Sequence, residues 1–332
     1  MPAPTRRTFL ALGALTGLQF LCGCTDDHAK STQQVAEDAD RPLRIRQLAA
    51  TDSLLTDYDA VIAASPADAD RLGDLREDLL QHREALARSL PVSWSSASPT
   101  AAATARSVTD LAAAERRTAG LRLADLAAAS PALARTLASI AASGAAHTAA
   151  LGDTAPLGAD AAPSSSPSPS PSPSPSGSGS AAASPVALSA TDTAALQGAL
   201  AAEHAAVYGY GVVGAFLPVG AQREDGRAAY TAHQARRDSW QRLLASGGAS
   251  PTAAAAGYRL PFQVKDAATA GQLAVYLEIQ LTAAYTDLAA TAAFRADGAT
   301  ALRECALRAV HWGADLPALP GLAPTEPTPT AS

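Results

Sequence analysis

Apolar residues recur every three or four positions over two long stretches of the chain, residues 43–150 and 189–316, with polar and charged residues filling the intervals. That period is the mark of amphipathic helices. Turn-forming clusters divide the first stretch into helices over about 43–63, 67–89, 104–128 and 131–150. Ser65-Pro66 and Ser130-Pro131 each put proline at the first helical position behind a capping serine, where its missing N–H costs nothing. The second stretch divides into about 190–216, 222–246, 267–294 and 298–314. A Gly-, Ala- and Pro-rich connection, residues 247–266, joins its second and third helices. The expected fold is all-α, two tandem four-helix bundles.

Between the blocks, residues 151–188 contain a Pro-Ser repeat from Ser164 to Ser176 and then a Gly-Ser stretch, a composition that spaces domains and forms no core. A polar tether over 24–42 and a Pro/Thr tail over 317–332 are expected to be disordered. Residues 1–23 carry Arg6-Arg7-Thr8-Phe9-Leu10 ahead of an apolar stretch too short to span a bilayer, which reads as an export signal. The arginine pair resembles a twin-arginine (Tat) signal, and Leu21-Cys22-Gly23-Cys24 resembles a bacterial lipobox. These resemblances imply passage through the Tat translocase, cleavage by lipoprotein-processing enzymes and a lipid on Cys24. The membrane is then a partner through that anchor, and the protein sits on the outer face of the plasma membrane.

Composition narrows the classes further. The chain has 332 residues, 84 of them alanine, with 48% hydrophobic and 17% charged positions. Alanine is the best helix former, so its excess supports helices throughout. The net charge of −6, which becomes −8 once residues 1–23 are removed, excludes the basic balance of a nucleic-acid binder. No run of about 18 apolar residues follows the first 25 positions, which excludes a polytopic membrane protein. Cys22 leaves with the signal and Cys24 is acylated, so Cys305 stands alone and no disulfide framework forms. Cys305 reads as a small buried apolar residue, and Trp240 and Trp312 as packing residues. There is no Gly-rich phosphate loop and no Ser-His-Asp order with a recognisable elbow.

The two blocks look like copies of one another. Leu48 to Val61 aligns without a gap on Leu200 to Val213, placing Tyr58 on Tyr210 and Thr51 on Glu203. A second-helix histidine follows at His82 and His233, a third-helix glutamate at Glu115 and Glu278, and a fourth-helix histidine at His147 and His311. Matching order and spacing in both halves point to tandem duplication. Glu203 lies in the apolar seam of Leu196, Leu200, Val207, Tyr210 and Gly214, and Glu278 shares a face with Leu281 and Tyr285. With charge so scarce, a carboxylate on a core face needs a partner or a metal. His311 is the exception, since it falls opposite Leu302, Ala306 and Ala309 on its helix.

Glu203, His233, Glu278 and His311, one per helix in that order, resemble the ferritin-like superfamily. Leu200-Ala201-Ala202-Glu203-His204 through Tyr210, Ala232-His233-Gln234-Ala235-Arg236-Arg237-Asp238 and Tyr258-Arg259-Leu260-Pro261-Phe262 are similar to an uncharacterised ferritin-like domain of high-GC Gram-positive bacteria. That resemblance covers about 189–316 and implies a four-helix bundle whose side chains ligate metal. The chain departs from it where the di-iron chemistry resides. Tyr230 and Arg308 stand three residues before His233 and His311, where bridging glutamates belong, and Leu79 and Gly144 stand there in the first block. Two readings follow. In one, the side chains are salt-bridged core remnants, Glu203 pairing with Arg236 or Arg237, in a non-catalytic binding or scaffold protein with no catalytic residue. In the other, Glu203, His233, Glu278 and His311 hold one divalent metal (Zn, Mn or Fe) in a metal-binding protein or an oxidoreductase. His82, Glu115 and His147 in the first block are expected to be structural.

Overall fold

The computed structural model describes residues 31–90, 103–153 and 187–322. Arg6, Arg7, Cys24, the Pro-Ser segment and the tail beyond residue 322 lie outside the described residues. The described residues are all-helical: α1 Thr32–Ala64, α2 Ala69–Ala87, α3 Val108–Asp125, α4 Pro131–Ala150, α5 Ala190–Phe216, α6 Ala221–Ser246, α7 Ala267–Ala290 and α8 Arg295–His311. Side-chain caps start several of them. Ser107, Ser130, Ser189 and Asp266 each accept a hydrogen bond from the backbone N–H three residues on, which satisfies a donor the helix itself leaves free. Pro131 takes the first position of α4 as expected, whereas Pro66 opens a short 3-10 turn, Pro66–Asp68, ahead of α2. Among the described residues, no helix is long and apolar enough to cross a membrane.

The ends of the blocks differ from the sequence expectation. Residues 32–42 belong to α1 rather than to a disordered tether. Their polar composition conceals tertiary contacts: the buried Asp40 carboxylate accepts hydrogen bonds from Ser130 N–H (2.8 Å) and Ser130 O–H (2.6 Å) at the start of α4. At the other end, residues 314–322 form a packed strap rather than a disordered tail. Ala318 and Pro320 are buried, and their carbonyls accept hydrogen bonds from His82 Nε2 (2.7 Å) and Ser139 O–H (2.8 Å).

The blocks also share a core. α4 packs against α3 within the first block and against α7 and α8 of the second. One buried apolar cluster runs continuously from Leu133, Leu137 and Ile140 on α4 to Tyr285 and Leu288 on α7 and Leu302 on α8. From Leu137 to Thr148 every residue of α4 is buried; a helix apolar all round belongs inside a structure. Arg295 adds a polar contact across the seam, donating to the carbonyl of Leu126 at 2.9 Å. Smaller clusters complete each block, one around Leu54, Tyr58 and Leu111, the other around Tyr210, Val213 and Leu273.

Candidate functional site

Helix periodicity brings Glu203 of α5, His233 of α6 and Glu278 of α7 to one level in the middle of the second block, all 0–1% exposed. His233 lies between the two carboxylates, its Nδ1 2.8 Å from Glu203 Oε2 and its Nε2 3.0 Å from Glu278 Oε1. An ionised carboxylate only accepts, so an imidazole facing one with each nitrogen must donate from both and carry a proton. Burial alone would lower the pKa of His233, but the hydrogen bonds it donates to Glu203 and Glu278, and their charges, outweigh it and raise it. Burial pushes Glu278 the other way, yet the His233 hydrogen bond and the Arg308 charge hold its pKa below the usual value.

Two tyrosines and an arginine complete the group. Tyr210 donates to Glu278 Oε1 at 2.6 Å and its ring stacks on His233 with centroids 5.1 Å apart. Tyr285 donates to Glu203 Oε1. Arg308 Nε donates to Glu278 Oε1 at 2.8 Å, and another of its nitrogens reaches Cys305 Sγ at 3.3 Å. Glu203 and Glu278 thus flank the imidazole of His233, and the partly exposed guanidinium of Arg308 closes the group on the Glu278 side. Glu278 Oε2 has no partner among the described residues. Cys305 is fully buried, and burial raises its pKa, so it stays a thiol as its sequence context implies.

The first block holds a related set drawn from different helices, its imidazole on α4 and its guanidinium on α3. Tyr58 donates to Glu115 Oε1 at 2.9 Å, as Tyr210 does to Glu278. His147 Nδ1 lies 3.0 Å from Glu115 Oε1 and its Nε2 lies 3.1 Å from Asp78 Oδ2. Arg122, fully buried, donates to Thr51 Oγ1 at 3.1 Å, and a Cβ at Gly144 would sit 3.5 Å from both Arg122 and Glu115. Burial opposes charge on His147, but Glu115 and Asp78 prevail and raise its pKa to about 9. Asp78 is partly exposed, and with His147 it lines a cavity of about 490 Å³ shared by the two blocks.

Two of the candidate histidines fall outside these sets. His311 points away from the core and lies 3.1 Å from Asp225, its side chain 59% exposed. Spacing places it one helical turn beyond the group that does reach the centre, Arg308. His82 stacks beside His147 at 6.0 Å but bonds the Ala318 carbonyl; burial, Arg122 and His147 keep it neutral. The expected partners of Glu203 also change, because Arg236 pairs with Glu304 and Arg237 with Asp238. Sequence reasoning missed Arg308, Tyr285, Asp78 and Arg122. Arg122 and Tyr285 share one signal, since each follows its third-helix glutamate by seven residues. Among the described residues, no group of three or more His, Cys, Asp or Glu side chains is arranged to hold a metal ion.

Residues 195–324 match the sequence model of a family described as a domain of unknown function, DUF4439. Among solved structures, the chain is similar to a conserved hypothetical protein, rv2844, from Mycobacterium tuberculosis, at 40% identity. That match covers 38% of this chain and 97% of the other, with a TM-score of 0.36. No curated protein matches the chain.

Proposed function

The chain belongs to the DUF4439 family through residues 195–324, and from that premise we propose that it is a lipid-anchored cell-envelope protein with a non-catalytic binding or scaffold role. Its frame is a pair of degenerate ferritin-like bundles, the first a divergent copy of the second. Supporting the copy are the two tyrosine-to-glutamate hydrogen bonds at equivalent positions, Tyr58 to Glu115 and Tyr210 to Glu278. Supporting the anchor is the Arg6-Arg7 and Leu21-to-Cys24 pattern.

The observation that carries the non-catalytic reading is the imidazole of His233 held between Glu203 and Glu278. A metal ligand must offer an unprotonated nitrogen. Here both ring nitrogens face carboxylates, and Arg308, Tyr210 and His233 all sit on Glu278 Oε1, which leaves Oε2 as the one unpartnered oxygen of that carboxylate. The donor set does not fit a metal, and the chain uses internal cations in its place. Elemental analysis of the chain from residue 25 onward, loaded with Zn, Mn or Fe and desalted, is expected to retain below about 0.1 equivalent. A stoichiometric metal that disappears in Glu203→Ala would sink the reading. For the anchor, Cys24→Ala is expected to move the protein from the membrane fraction to the soluble one; retention would refute it.

A further inference from the structure

The segment Tyr258-Arg259-Leu260-Pro261 has no part in the histidine-carboxylate sets of either block. It lies in the helix-free connection 247–266 between α6 and α7, and a helix-free run of that length in a packed domain usually serves binding. The connection is fastened to α5. Thr252 N–H donates to Gln197 at 2.8 Å, Gln197 donates to the Ser250 carbonyl at 2.7 Å, and His204 bonds the Thr252 carbonyl at 3.1 Å. Further along, Tyr258 O–H accepts from Ala255 N–H at 3.1 Å. So held, residues 258–261 roof a groove of about 270 Å³ between α5 and α7, on their outer side.

The chemistry of this groove is one-sided. Its floor is Leu277 and Leu281 with small alanines of α5, and its walls are the rings of Tyr208, Tyr258 and Tyr276. Tyr208 and Tyr276 remain 42% and 39% exposed, with Tyr208 leaning on Tyr258 at 5.3 Å between centroids. Arg259 is the one charged residue lining it, and it makes no hydrogen bond or ion pair to a described residue. A largely apolar, preformed cavity with a few polar groups, here the tyrosines, Gln280 and Arg259, is how small-molecule sites are built. A lone guanidinium at its rim selects an anion. At roughly 30 Å³ per small group, the volume holds a body of about nine or ten carbons.

We propose that this groove binds an amphiphilic organic anion, an alkyl chain lying along Leu277 and Leu281 with a carboxylate or phosphate at Arg259. The proposal names a ligand class for the binding role above and rests on that reading. The two fail separately, since metal content tests one and ligand uptake the other. Calorimetry on the full chain with decanoate, below its micelle concentration, is expected to give saturable uptake of one equivalent. Arg259→Gln should weaken it on the order of tenfold or more, and Ala205→Trp, which fills the groove, should abolish it. Decylamine, of the same length and opposite charge, should bind on the order of tenfold more weakly than decanoate. If Ala205→Trp lowers the melting temperature, Tyr276→Ala takes its place. Absence of saturable uptake, equal uptake of decylamine, or uptake indifferent to both substitutions would overturn the proposal.

Discussion

At the scale of single residues, the two histidines of the first block titrate in opposite senses, and this shapes stability against pH. His147 has its pKa raised to about 9 by Glu115 and Asp78 against the cost of burial. A group with a raised folded pKa stabilises fully below its unfolded value, about 6.5, and loses that contribution as pH rises through its folded value. His82 is the reverse: burial holds it neutral, so its contribution is full above about 6.5 and falls below it. Urea unfolding of the unaltered chain and His147→Gln should therefore differ by the full amount below about pH 6 and converge as pH rises toward 10. The full difference is about 3 kcal/mol. A difference that does not shrink above pH 9 would show that His147 is not the charged partner of Glu115. The sequence makes part of this legible. Glu203, His233 and Glu278 announce themselves as scarce polar groups on apolar faces, and Tyr210 as their companion. Arg308 does not, because a counterion at the rim of a core looks like any solvated arginine until the helix phase is fixed.

At the scale of helices, glycine shows how an alanine-rich chain packs. Gly298 lies in α8, where a Cβ would stand 2.5 Å from Ala289 N and 2.9 Å from Ala289 Cα on α7. Backbone cannot yield as a side chain can, so this glycine is what lets α7 and α8 come together. Gly198 lies within α5, exposed, with nothing within 4 Å of such a Cβ. Glycine in a helix interior costs about 0.5–1 kcal/mol relative to alanine. Gly198→Ala should raise stability by that amount, while Gly298→Ala should lower it by about 1–3 kcal/mol through overpacking. Denaturant midpoints of the two variants check the opposed signs; a stabilised Gly298→Ala would mean that the helices part at little cost. Helix existence is legible throughout, and five of the eight starts fall within about two residues of expectation. The start of α1 is not legible, because Asp40 is buried by a partner, Ser130, 90 residues away. Nor is the all-round burial of α4. Alanine faces look alike, so periodicity cannot tell a helix with one buried side from a helix with several.

At the scale of the whole molecule, that burial makes the two blocks one cooperative unit. The apolar cluster that includes Leu137 and Ile140 also includes Tyr285 and Leu302, so neither block completes its core without the other. The strap 314–322 reinforces the seam. Leu316 and Leu319 pack on the shared core, and the Ala318 and Pro320 carbonyls satisfy His82 and Ser139 of the first block. Truncation after Gly313 would remove the acceptors of both His82 and Ser139, at about 1 kcal/mol each, and strip apolar cover from both sides. Two observables distinguish the blocks once Trp94, between α2 and α3, is replaced by Phe: the remaining tryptophans, Trp240 and Trp312, belong to the second block, while helical circular dichroism reports on both. With the strap in place the two thermal transitions should coincide. In the truncated chain both should fall together, by on the order of 5 °C or more. Had the blocks been independent domains on a flexible spacer, loss of the strap would lower the tryptophan transition alone and leave a second helical transition in place. A shared core requires that the damage cross the seam, because unfolding either block exposes the face that α4 covers.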